Sequence, residues 1–261
     1  MSDAPLVTLE RDGHAAWLTL NRPEARNALS FPTLNLLREL LAEVRADDSI
    51  WAVVLTGAGD KAFCAGADLK ERRTMPEEMV PQFVRQIRAT MDDIAALPQP
   101  TIAAMNGHAF GGGCEMALAC DLRILDEQAM IGLTETSLAI IPGAGGCVRL
   151  PRLVGAAKAK ELILLARRLG AAEALGMGLI HEVAAAGQTR QHAADMLSAL
   201  QKNGPLALRA AKDAIDGGMD RSTAEALEHE AACYQTIIPT EDRLEALAAF
   251  AEKRAPNFAG R

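Results

Sequence analysis

Runs of apolar residues early in the chain predict short β-strands separated by tight turns. Leu6 to Glu10 and Ala15 to Leu20 flank the turn Arg11-Asp12-Gly13, and this pattern predicts a β-hairpin. The apolar run from Ile50 to Thr56 ends at Gly57-Ala58-Gly59. A short continuous apolar run bounded by glycines is typical of a parallel strand that is buried on both faces.

Helical periodicity fills the intervals between these strands. Ser30 is a predicted N-cap, and apolar residues then recur at helical spacing. They are Leu34, Leu37, Leu41 and Val44. The same alternation of helix and strand then continues along the chain. The predicted elements are helix Pro81 to Leu97, strand Thr101 to Met105, helix Gly112 to Cys120 and strand Leu122 to Leu125. Strands that alternate with crossover helices predict an α/β core with at least partly parallel pairing.

Strand signals end near Asn203, and three helices are predicted beyond it. Pro205 to Ile215 is rich in alanine, Ser222 with Glu225 matches a capping box, and Thr240 can cap the last helix. That helix carries an apolar stripe made of Leu244, Leu247, Ala248 and Ala251. We therefore divide the chain into a core, residues 1–202, and a C-terminal helical oligomerisation region, residues 203–261. We expect the apolar faces of this region to pack on another surface, for which a neighbouring subunit is a good candidate.

Charge and cysteine content narrow the possible classes of protein. The formal net charge of −7 argues against general electrostatic binding to nucleic acid or to an anionic membrane. The five cysteines are scattered without a C-x-x-C pair or zinc-ligand spacing, so we expect buried free thiols in a reducing compartment. No apolar run approaches the roughly 20 residues of a membrane helix, and the first residues lack a signal-peptide pattern. We expect a cytoplasmic protein.

Two glycine-containing segments are candidates for binding an anion through backbone amides. In the segment Lys61 to Leu69, Gly66 permits a conformation that turns the Ala67 amide into a cleft, although a surface turn capped by Asp68 explains the same residues. In the segment Asn106 to Glu115, three consecutive glycines enter a helix and expose free N–H groups at its positive end. Close packing of helix on sheet also requires glycine, but three in succession favour an anion or oxyanion site at the start of this helix.

Two glutamates lie in apolar surroundings beside glycine-rich loops. Glu115 stands between Cys114 and Met116, and Glu135 precedes the loop that contains Pro142 to Gly146. Apolar surroundings raise the pKa of a carboxyl group, which then suits general acid or base catalysis near neutral pH.

His108 and Cys114 are weaker candidates for catalysis. His108 has no serine or cysteine partner at a G-x-S-x-G elbow, and nothing in the sequence near Cys114 would lower the pKa of its thiol.

In this order, the segments resemble the crotonase (enoyl-CoA hydratase/isomerase) superfamily. The matching stretches are Asn21 to Leu29, Phe63 to Leu69, Asn106 to Glu115, Ile141 to Gly146, Arg149 to Arg152, Gly178 to Ile180 and Phe250 to Arg254. The resemblance implies an α/β fold, a crotonase-like spiral of ββα units followed by a C-terminal helical trimerisation region. It also implies a homotrimer or a dimer of trimers, that is, a hexamer.

The resemblance also implies roles for particular residues. The amides of Ala67 and Gly112 would form the oxyanion hole for the thioester oxygen. The same two residues, with Asp68, Leu69 and Lys70, would bind the acyl-CoA thioester substrate. No metal and no cofactor are expected, because coenzyme A enters as part of the substrate.

The two glutamates distinguish reactions within the superfamily. Similar hydratases carry both, whereas many isomerases keep only the second. Since both are present, the resemblance implies an enoyl-CoA hydratase: Glu115 would deprotonate the water that attacks C3, and Glu135 would supply the proton at C2. The substrate would be a short or branched trans-2-enoyl-CoA from fatty-acid or branched-chain amino-acid breakdown. A double-bond isomerase that acts through Glu135 alone is the alternative.

Within the superfamily the chain resembles the methylglutaconyl-CoA hydratase branch, which makes 3-methylglutaconyl-CoA a candidate substrate. The stretches Met130 to Glu135, Leu138 to Pro142 and Glu230 to Thr236 carry this resemblance. RNA binding in that branch is associated with a lysine-rich early helix. The corresponding region here, residues 38–48, has two arginines against four acidic residues, which would repel phosphate. We therefore expect no nucleic-acid partner.

Overall fold

Two β-sheets form the centre of the fold. The computed structural model describes residues 4–261. Its strands are β1 (Val7–Asp12), β2 (Ala15–Leu20), β3 (Ala52–Gly57), β4 (Ala62–Cys64), β5 (Thr101–Met105), β6 (His108–Phe110), β7 (Leu122–Asp126), β8 (Met130–Gly132), β9 (Leu169–Gly170) and β10 (Glu182–Ala184). A six-stranded sheet has the order β1-β2-β3-β5-β7-β10, and a four-stranded sheet has the order β4-β6-β8-β9. Only β1 and β9 pair antiparallel with their neighbours in these sheets.

Helices connect and cover these sheets. They are α1 (Phe31–Ala46), α2 (Leu69–Thr74), α3 (Val80–Ala95), α4 (Gly112–Ala119), α5 (Gly146–Val154), α6 (Ala156–Leu164), α7 (Ala171–Gly176), α8 (Thr189–Leu200), α9 (Pro205–Gly218), α10 (Thr223–Ile237) and α11 (Glu241–Glu252). Short 3₁₀ helices occupy Pro23–Ala25, Glu77–Met79 and Glu135–Leu138. None of the helices in the described part of the chain is long and apolar enough to cross a membrane.

A ββα unit repeats along the core. In each unit the first strand joins the six-stranded sheet, the second joins the four-stranded sheet, and helices follow. The successive units are β3-β4-α2-α3, β5-β6-α4 and β7-β8-α5-α6. This arrangement confirms the predicted α/β class and the spiral of ββα units.

Aliphatic side chains cover both faces of the six-stranded sheet. One cluster places Leu55 and Met105 against helical residues such as Leu37 of α1 and Met91 of α3. On the opposite face, Leu197 of α8 packs in a cluster with strand residues such as Val54, Ile102 and Ile124. Burial on both faces explains why β3 and β5 are continuous apolar runs in the sequence.

The predicted elements agree with the structure except at their ends. The turn of the hairpin is shifted, because Arg11 and Asp12 belong to β1 and pair with Ala16 and Ala15. The residues between the strands are therefore Gly13 and His14, and Gly13 has a φ of +55°. The second sheet was not predicted. Its strands have only two or three residues, too few to show a periodicity.

The three predicted C-terminal helices are present as α9, α10 and α11. The Ser222–Glu225 capping box forms, and the Thr240 side chain caps α11. Leu244 and Leu247 of the predicted stripe are 57% and 58% exposed within one chain. The division of the chain at residues 202 and 203 stays a prediction.

All five cysteines are free thiols. Burial was predicted correctly for Cys64, Cys114, Cys120 and Cys233 but wrongly for Cys147, which is exposed. Cys147 is the second residue of α5. It lies on the exposed side of this helix together with Val148, whereas Leu150 is buried.

Candidate active site

The candidate site lies at one edge of the four-stranded sheet. Ala67 follows β4, Gly112 follows β6 and Glu135 follows β8. These strands are adjacent and parallel, so their carboxyl ends meet at the same edge. Segments that are up to 68 residues apart in sequence are thereby brought together. Ligands of parallel sheets commonly bind at such an edge.

The three glycines before α4 meet three different steric requirements. Gly111 has a φ of +53°, which residues other than glycine rarely adopt. A methyl group on Gly112 would lie 3.2 Å from the Leu29 side chain, and one on Gly113 would lie 2.0 Å from the Cys64 carbonyl oxygen. Packing therefore explains Gly113, whereas Gly111 and Gly112 shape the entrance to the helix.

The backbone amides of Ala67 and Gly112 lie close together. A methyl group on Gly112 would lie 3.8 Å from the Ala67 nitrogen and 3.5 Å from the Gly66 Cα. Neither amide donates a hydrogen bond to any other residue from 4 to 261. Gly112 is the first residue of α4, so its N–H also lies at the positive end of the helix dipole. Two free amides converging on one point can hold an oxyanion.

Residue Leu29 holds the Ala67 loop in place. Its N–H donates to the Gly66 carbonyl at 2.8 Å, and its carbonyl accepts from the Asp68 N–H at 2.9 Å. Gly66 itself has a φ of +89°, as expected from the sequence. These two bonds engage the Gly66 carbonyl and the Asp68 N–H with Leu29. The Ala67 N–H, which is opposite the Gly66 carbonyl in the same peptide group, therefore points away from Leu29.

Asp68, Leu69 and Lys70 differ in what they can offer to a substrate. The Asp68 carboxylate caps α2 by accepting from the amides of Lys70 and Glu71, and it forms an ion pair with Arg22 at 3.0 Å. Its role is therefore to hold the loop, since these bonds engage the side chain. Leu69 is 59% exposed and Lys70 is exposed, so both are accessible to a bound molecule.

Glu115 is a buried carboxylate with one engaged oxygen. Its side chain is on α4 and is only 3% exposed. Oε1 accepts from the Ala144 amide at 2.7 Å and the Gly146 amide at 2.9 Å. Oε2 accepts no hydrogen bond from a described residue, which leaves it for a water molecule. Burial raises the pKa of Glu115, while the two amides and the charge of Arg149 oppose that rise.

Glu135 is the second buried carboxylate. It begins the 3₁₀ helix after β8, is 9% exposed, and its Oε2 has no hydrogen-bond partner among the described residues. Burial, followed by the negative charge of Glu115, raises the pKa of Glu135 to about 7. A carboxyl group with such a pKa can give and accept a proton near neutral pH.

Gly111 contacts the backbone of Glu115 and lies close to the side chain of Glu135. Its carbonyl accepts from the Glu115 N–H at 2.9 Å, and a methyl group on it would lie 3.4 Å from the Glu135 Oε1. The two carboxyl groups also interact electrostatically, because the charge of Glu115 raises the pKa of Glu135. The structure therefore brings together Ala67, Gly112, Glu115 and Glu135.

Arg149 supports the loop that holds Glu115, a role that its place in the stretch Arg149 to Arg152 does not indicate. Its guanidinium donates to the Ala144 carbonyl at 3.0 Å and forms an ion pair with Asp92 of α3 at 2.7 Å. The same loop uses Gly145 at a φ of +108°. Cys147 is a second residue near the site that the sequence analysis did not identify. Burial and the charges of both glutamates raise the pKa of its thiol.

His108 and Cys114 have structural surroundings. The His108 Nδ1 accepts from the Met130 amide at 3.1 Å and so links β6 to β8. Cys114 is buried, and burial together with the charges of Glu135 and Glu115 raises the pKa of its thiol. A thiol with a raised pKa is a poor nucleophile.

A separate cleft of about 770 Å³ lies at the other end of α4. Its lining includes Cys120, Arg123, Ile215 and Met219, and it does not include either glutamate. The guanidinium of Arg123 donates hydrogen bonds to the carbonyl groups of Leu179 and Cys120 and is therefore engaged in holding the fold. We assign the chemistry to the space between the free amides and the glutamates because the groups able to react lie there.

The spiral of two sheets, with free amides after two of its strands, defines the architecture of the crotonase superfamily. The family model for enoyl-CoA hydratase/isomerase matches residues 10–261. The chain belongs to the enoyl-CoA hydratase/isomerase family. Enzymes of this family act on acyl-CoA thioesters and are typically oligomeric.

Individual relatives agree with this membership. A Bacillus subtilis protein named putative enoyl-CoA hydratase/isomerase YngF is 50% identical over 260 residues, which cover 100% of both chains. Human mitochondrial methylglutaconyl-CoA hydratase is 45% identical over 247 residues, which cover 93% of this chain and 73% of that protein. A crystal structure of enoyl-CoA hydratase from Bacillus anthracis has a TM-score of 0.96 at 47% identity and covers 98% of this chain and 100% of its own.

Proposed function

We propose that the protein is an enoyl-CoA hydratase that adds water across the 2,3 double bond of a short or branched trans-2-enoyl-CoA. The pair of buried glutamates on either side of Gly111 carries this proposal. One glutamate is enough to move a proton along a substrate. Two carboxyl groups beside one oxyanion site provide both a base for water and an acid for carbon.

In the proposed reaction the thioester oxygen accepts from the amides of Ala67 and Gly112. Negative charge accumulates on that oxygen when water attacks C3, so the two amides stabilise the enolate-like transition state more than the substrate. Removing one such donor costs about 10² to 10³ in rate in comparable sites.

Water is activated by Glu115. Its Oε1 is fixed by two loop amides, and the free Oε2 can accept a proton from water. The water oxygen bonds to C3, its proton passes to Glu115, and the electrons of the double bond move toward the thioester. No metal or redox cofactor enters these steps, because the thioester itself receives the electrons.

Glu135 completes the addition at C2. A carboxyl group with a pKa of about 7 is partly protonated at neutral pH and can donate to the enolate carbon. As the resemblance to hydratases of the superfamily implies, we propose that oxygen and hydrogen add to the same face of the double bond.

The proposed substrates are crotonyl-CoA and 3-methylglutaconyl-CoA. Likeness to the human protein named methylglutaconyl-CoA hydratase supports the second. The test is to follow the enoyl thioester absorbance of each substrate with the folded, purified protein. We expect reversible loss of absorbance with at least one of them, and no change with either would reject hydratase function.

Two variants test the assignment of the glutamates. Glu115→Gln and Glu135→Gln keep the size of the side chain but remove the acid–base group. Each should lower kcat steeply while the affinity for an acyl-CoA product is largely kept. Near-normal turnover in either variant would remove that residue from the mechanism.

Isomerisation of the double bond is the second candidate, and Glu135 is the observation that favours it. A single carboxyl group with a pKa of about 7 could carry a proton between C4 and C2. Product analysis on a 3-enoyl-CoA distinguishes the two reactions. If Glu115→Gln retained full conversion of that substrate to the 2-enoyl isomer, isomerisation would replace hydration as the proposed function.

We further propose that the protein assembles as a homotrimer or a dimer of trimers. Large apolar side chains of the C-terminal helices are exposed in one chain, among them Ile215, Leu227, Tyr234 and Phe250 at 66%, 57%, 66% and 86%. Exposed apolar groups of this size are typical of subunit contacts. Sedimentation equilibrium should give three or six times the 27.7 kDa chain mass. A monomer at micromolar concentration would contradict this assembly.

A further inference from the structure

Three potential metal ligands converge between α9 and α10, in a cluster that the proposed reaction does not use. Asp213 lies on α9, and His229 and Cys233 lie on α10. His229 and Cys233 are four residues apart, so their side chains share one face of the helix. The ligand atoms of all three residues lie within 4.8 Å of one another.

The distances between these atoms are close to the edges of a tetrahedral site, with His229 and Cys233 approaching different oxygens of the Asp213 carboxylate. His229 Nε2 is 3.4 Å from Asp213 Oδ1 and 3.7 Å from Cys233 Sγ, and Sγ is 3.4 Å from Asp213 Oδ2. Zinc bonds of about 2.0 to 2.3 Å at tetrahedral angles place neighbouring ligand atoms roughly 3.3 to 3.6 Å apart. One ion can therefore be reached by all three side chains once the Asp213 carboxylate turns one oxygen toward both His229 and Cys233.

A cation would replace the hydrogen bonds that now link this cluster. The ring nitrogen Nε2 of His229 faces the Asp213 carbonyl oxygen at 3.0 Å in addition to Oδ1 and the Cys233 sulfur. Nε2 can offer at most one proton, and the Cys233 thiol donates its own proton to Asp213 Oδ2 at 3.4 Å. A divalent ion also balances the charge, since one carboxylate and one thiolate carry two negative charges together.

Gly217 makes room for the imidazole ring. A methyl group on Gly217 would lie 2.2 Å from His229 Nε2, so any side chain there would exclude the ring from its present position. The site also has an entry path. The Asp213 side chain is 67% exposed, whereas His229 is 18% exposed and Cys233 is 6% exposed.

We propose that Asp213, His229 and Cys233 bind a divalent transition-metal ion of the zinc class, with the fourth coordination position open to solvent. Three protein ligands drawn from nitrogen, sulfur and oxygen, plus water, form a set that Zn²⁺ accepts. The ion ties α9 to α10 in the C-terminal helical region. On binding, the S–H bond of Cys233 breaks, a metal–sulfur bond forms and the proton passes to solvent. The imidazole binds through Nε2, which gives up its hydrogen bond to the Asp213 carbonyl oxygen, and the ring proton moves to Nδ1.

The first experiment uses Co²⁺ as a spectroscopic probe for the untagged, reduced, full-length protein. A tetrahedral site that contains a thiolate should give a sulfur-to-cobalt charge-transfer band that saturates at one equivalent and is displaced by Zn²⁺. Cys233→Ser and His229→Gln should lose the band. Asp213→Asn should weaken the affinity for Co²⁺ by more than the roughly 10- to 100-fold that loss of an outer-sphere partner costs.

Cys147→Ser is the matched control, because it removes the exposed cysteine and leaves the cluster intact. It should keep the band at full intensity. Absence of the band in the unmodified protein, or its persistence in Cys233→Ser, would overturn the proposal. Either result would leave the proposed hydratase function untouched, since the cluster takes no part in it.

A second measurement needs no substitution in the cluster and remains decisive if those variants do not fold. The unmodified protein is alkylated with iodoacetamide, with and without Zn²⁺, and the modified peptides are mapped by mass spectrometry. Zn²⁺ should slow alkylation of Cys233 at least tenfold and leave that of Cys147 unchanged. Equal rates at Cys233 in both conditions would show that Asp213, His229 and Cys233 form only a hydrogen-bonded contact.

Discussion

Gly111 leaves open the space in front of the Glu135 carboxyl group. A methyl group on Gly111 would lie 3.4 Å from Oε1 and 4.0 Å from Oε2 of Glu135. In the proposed reaction the C2 carbon of the substrate must approach this carboxyl group. The missing side chain at position 111 is therefore part of the site, in addition to allowing the backbone to adopt a positive φ.

Gly111→Ala should lower kcat by about 100-fold, because a displacement of roughly 1 Å at a reacting group can cost that much. Gly13→Ala is the matched control. Gly13 has a φ of +55°, against +53° for Gly111, and has open space around its Cα. Gly13→Ala should lose about 1 to 2 kcal/mol of stability through backbone strain, and Gly111→Ala at least as much, because its ψ of −122° lies outside the left-handed helical region. Equal losses of turnover in the two variants would contradict a specific role for Gly111.

Gly112 allows the oxyanion amide to be removed without loss of the helix. Proline is tolerated at the first position of a helix, and Gly112 holds that position in α4. Gly112→Pro should lower kcat by about 10² to 10³ because it lacks the N–H. Gly112→Ala keeps the N–H and only crowds Leu29, at 3.2 Å, so its loss should be much smaller. Similar kcat values for the two variants, measured on the same enoyl-CoA, would argue against the amide.

Arg149 should act as a positioning residue for Glu115. Arg149→Met removes the hydrogen bond to the Ala144 carbonyl and the charge that opposes the rise in the pKa of Glu115. We expect a lower kcat with little change in KM, and an acidic limb of the kcat profile that moves to higher pH. Arg149→Lys keeps the charge and should leave that limb in place.

Arg152→Met provides the control for this series. Arg152 is on the same helix and forms an ion pair with Asp220, a side chain that is 78% exposed. Exposed ion pairs contribute little, so turnover and its pH profile should not change. A profile of Arg149→Met that coincides with that of the unmodified protein would show that Arg149 has no influence on Glu115.

The raised pKa of Glu135 predicts a pH-dependent stability. In the folded protein the pKa is about 7, against 4.5 for an ordinary glutamate, so the folded state holds its proton more tightly than the unfolded state. This contribution is fully present below pH 4.5 and is lost as the pH rises through 7. Glu135→Gln cannot ionise, and its stability relative to the unmodified protein should increase between pH 5 and pH 8. The change should reach at most about 3 kcal/mol.

Urea unfolding of the two proteins at both pH values measures this change. Buffers of equal ionic strength keep the surface charges equally screened. A difference in free energy of unfolding that stays constant from pH 5 to pH 8 would mean that Glu135 has an ordinary pKa in the folded protein.

Local sequence patterns were most informative where the backbone requires one particular type of residue, such as a capping side chain or a glycine. The alternation of strands and helices, the capping box at Ser222 and the glycines before α4 follow from backbone geometry, which short stretches of sequence encode. The strands β4, β6, β8 and β9 escaped prediction because two or three residues carry no period. Their role is tertiary, since they align the segments that hold the site.

By itself the sequence determined the class of fold, the positions of both glutamates and the segments that carry free amides. Only the tertiary structure decided that Glu115 is held by Ala144 and Gly146, that Arg149 supports this loop, and that Asp213 meets His229 and Cys233. The physical reason is distance along the chain. Capping, turns and helical faces depend on neighbours within a few residues, whereas burial, pKa and ligand geometry depend on residues that only the packing of sheets and helices brings together.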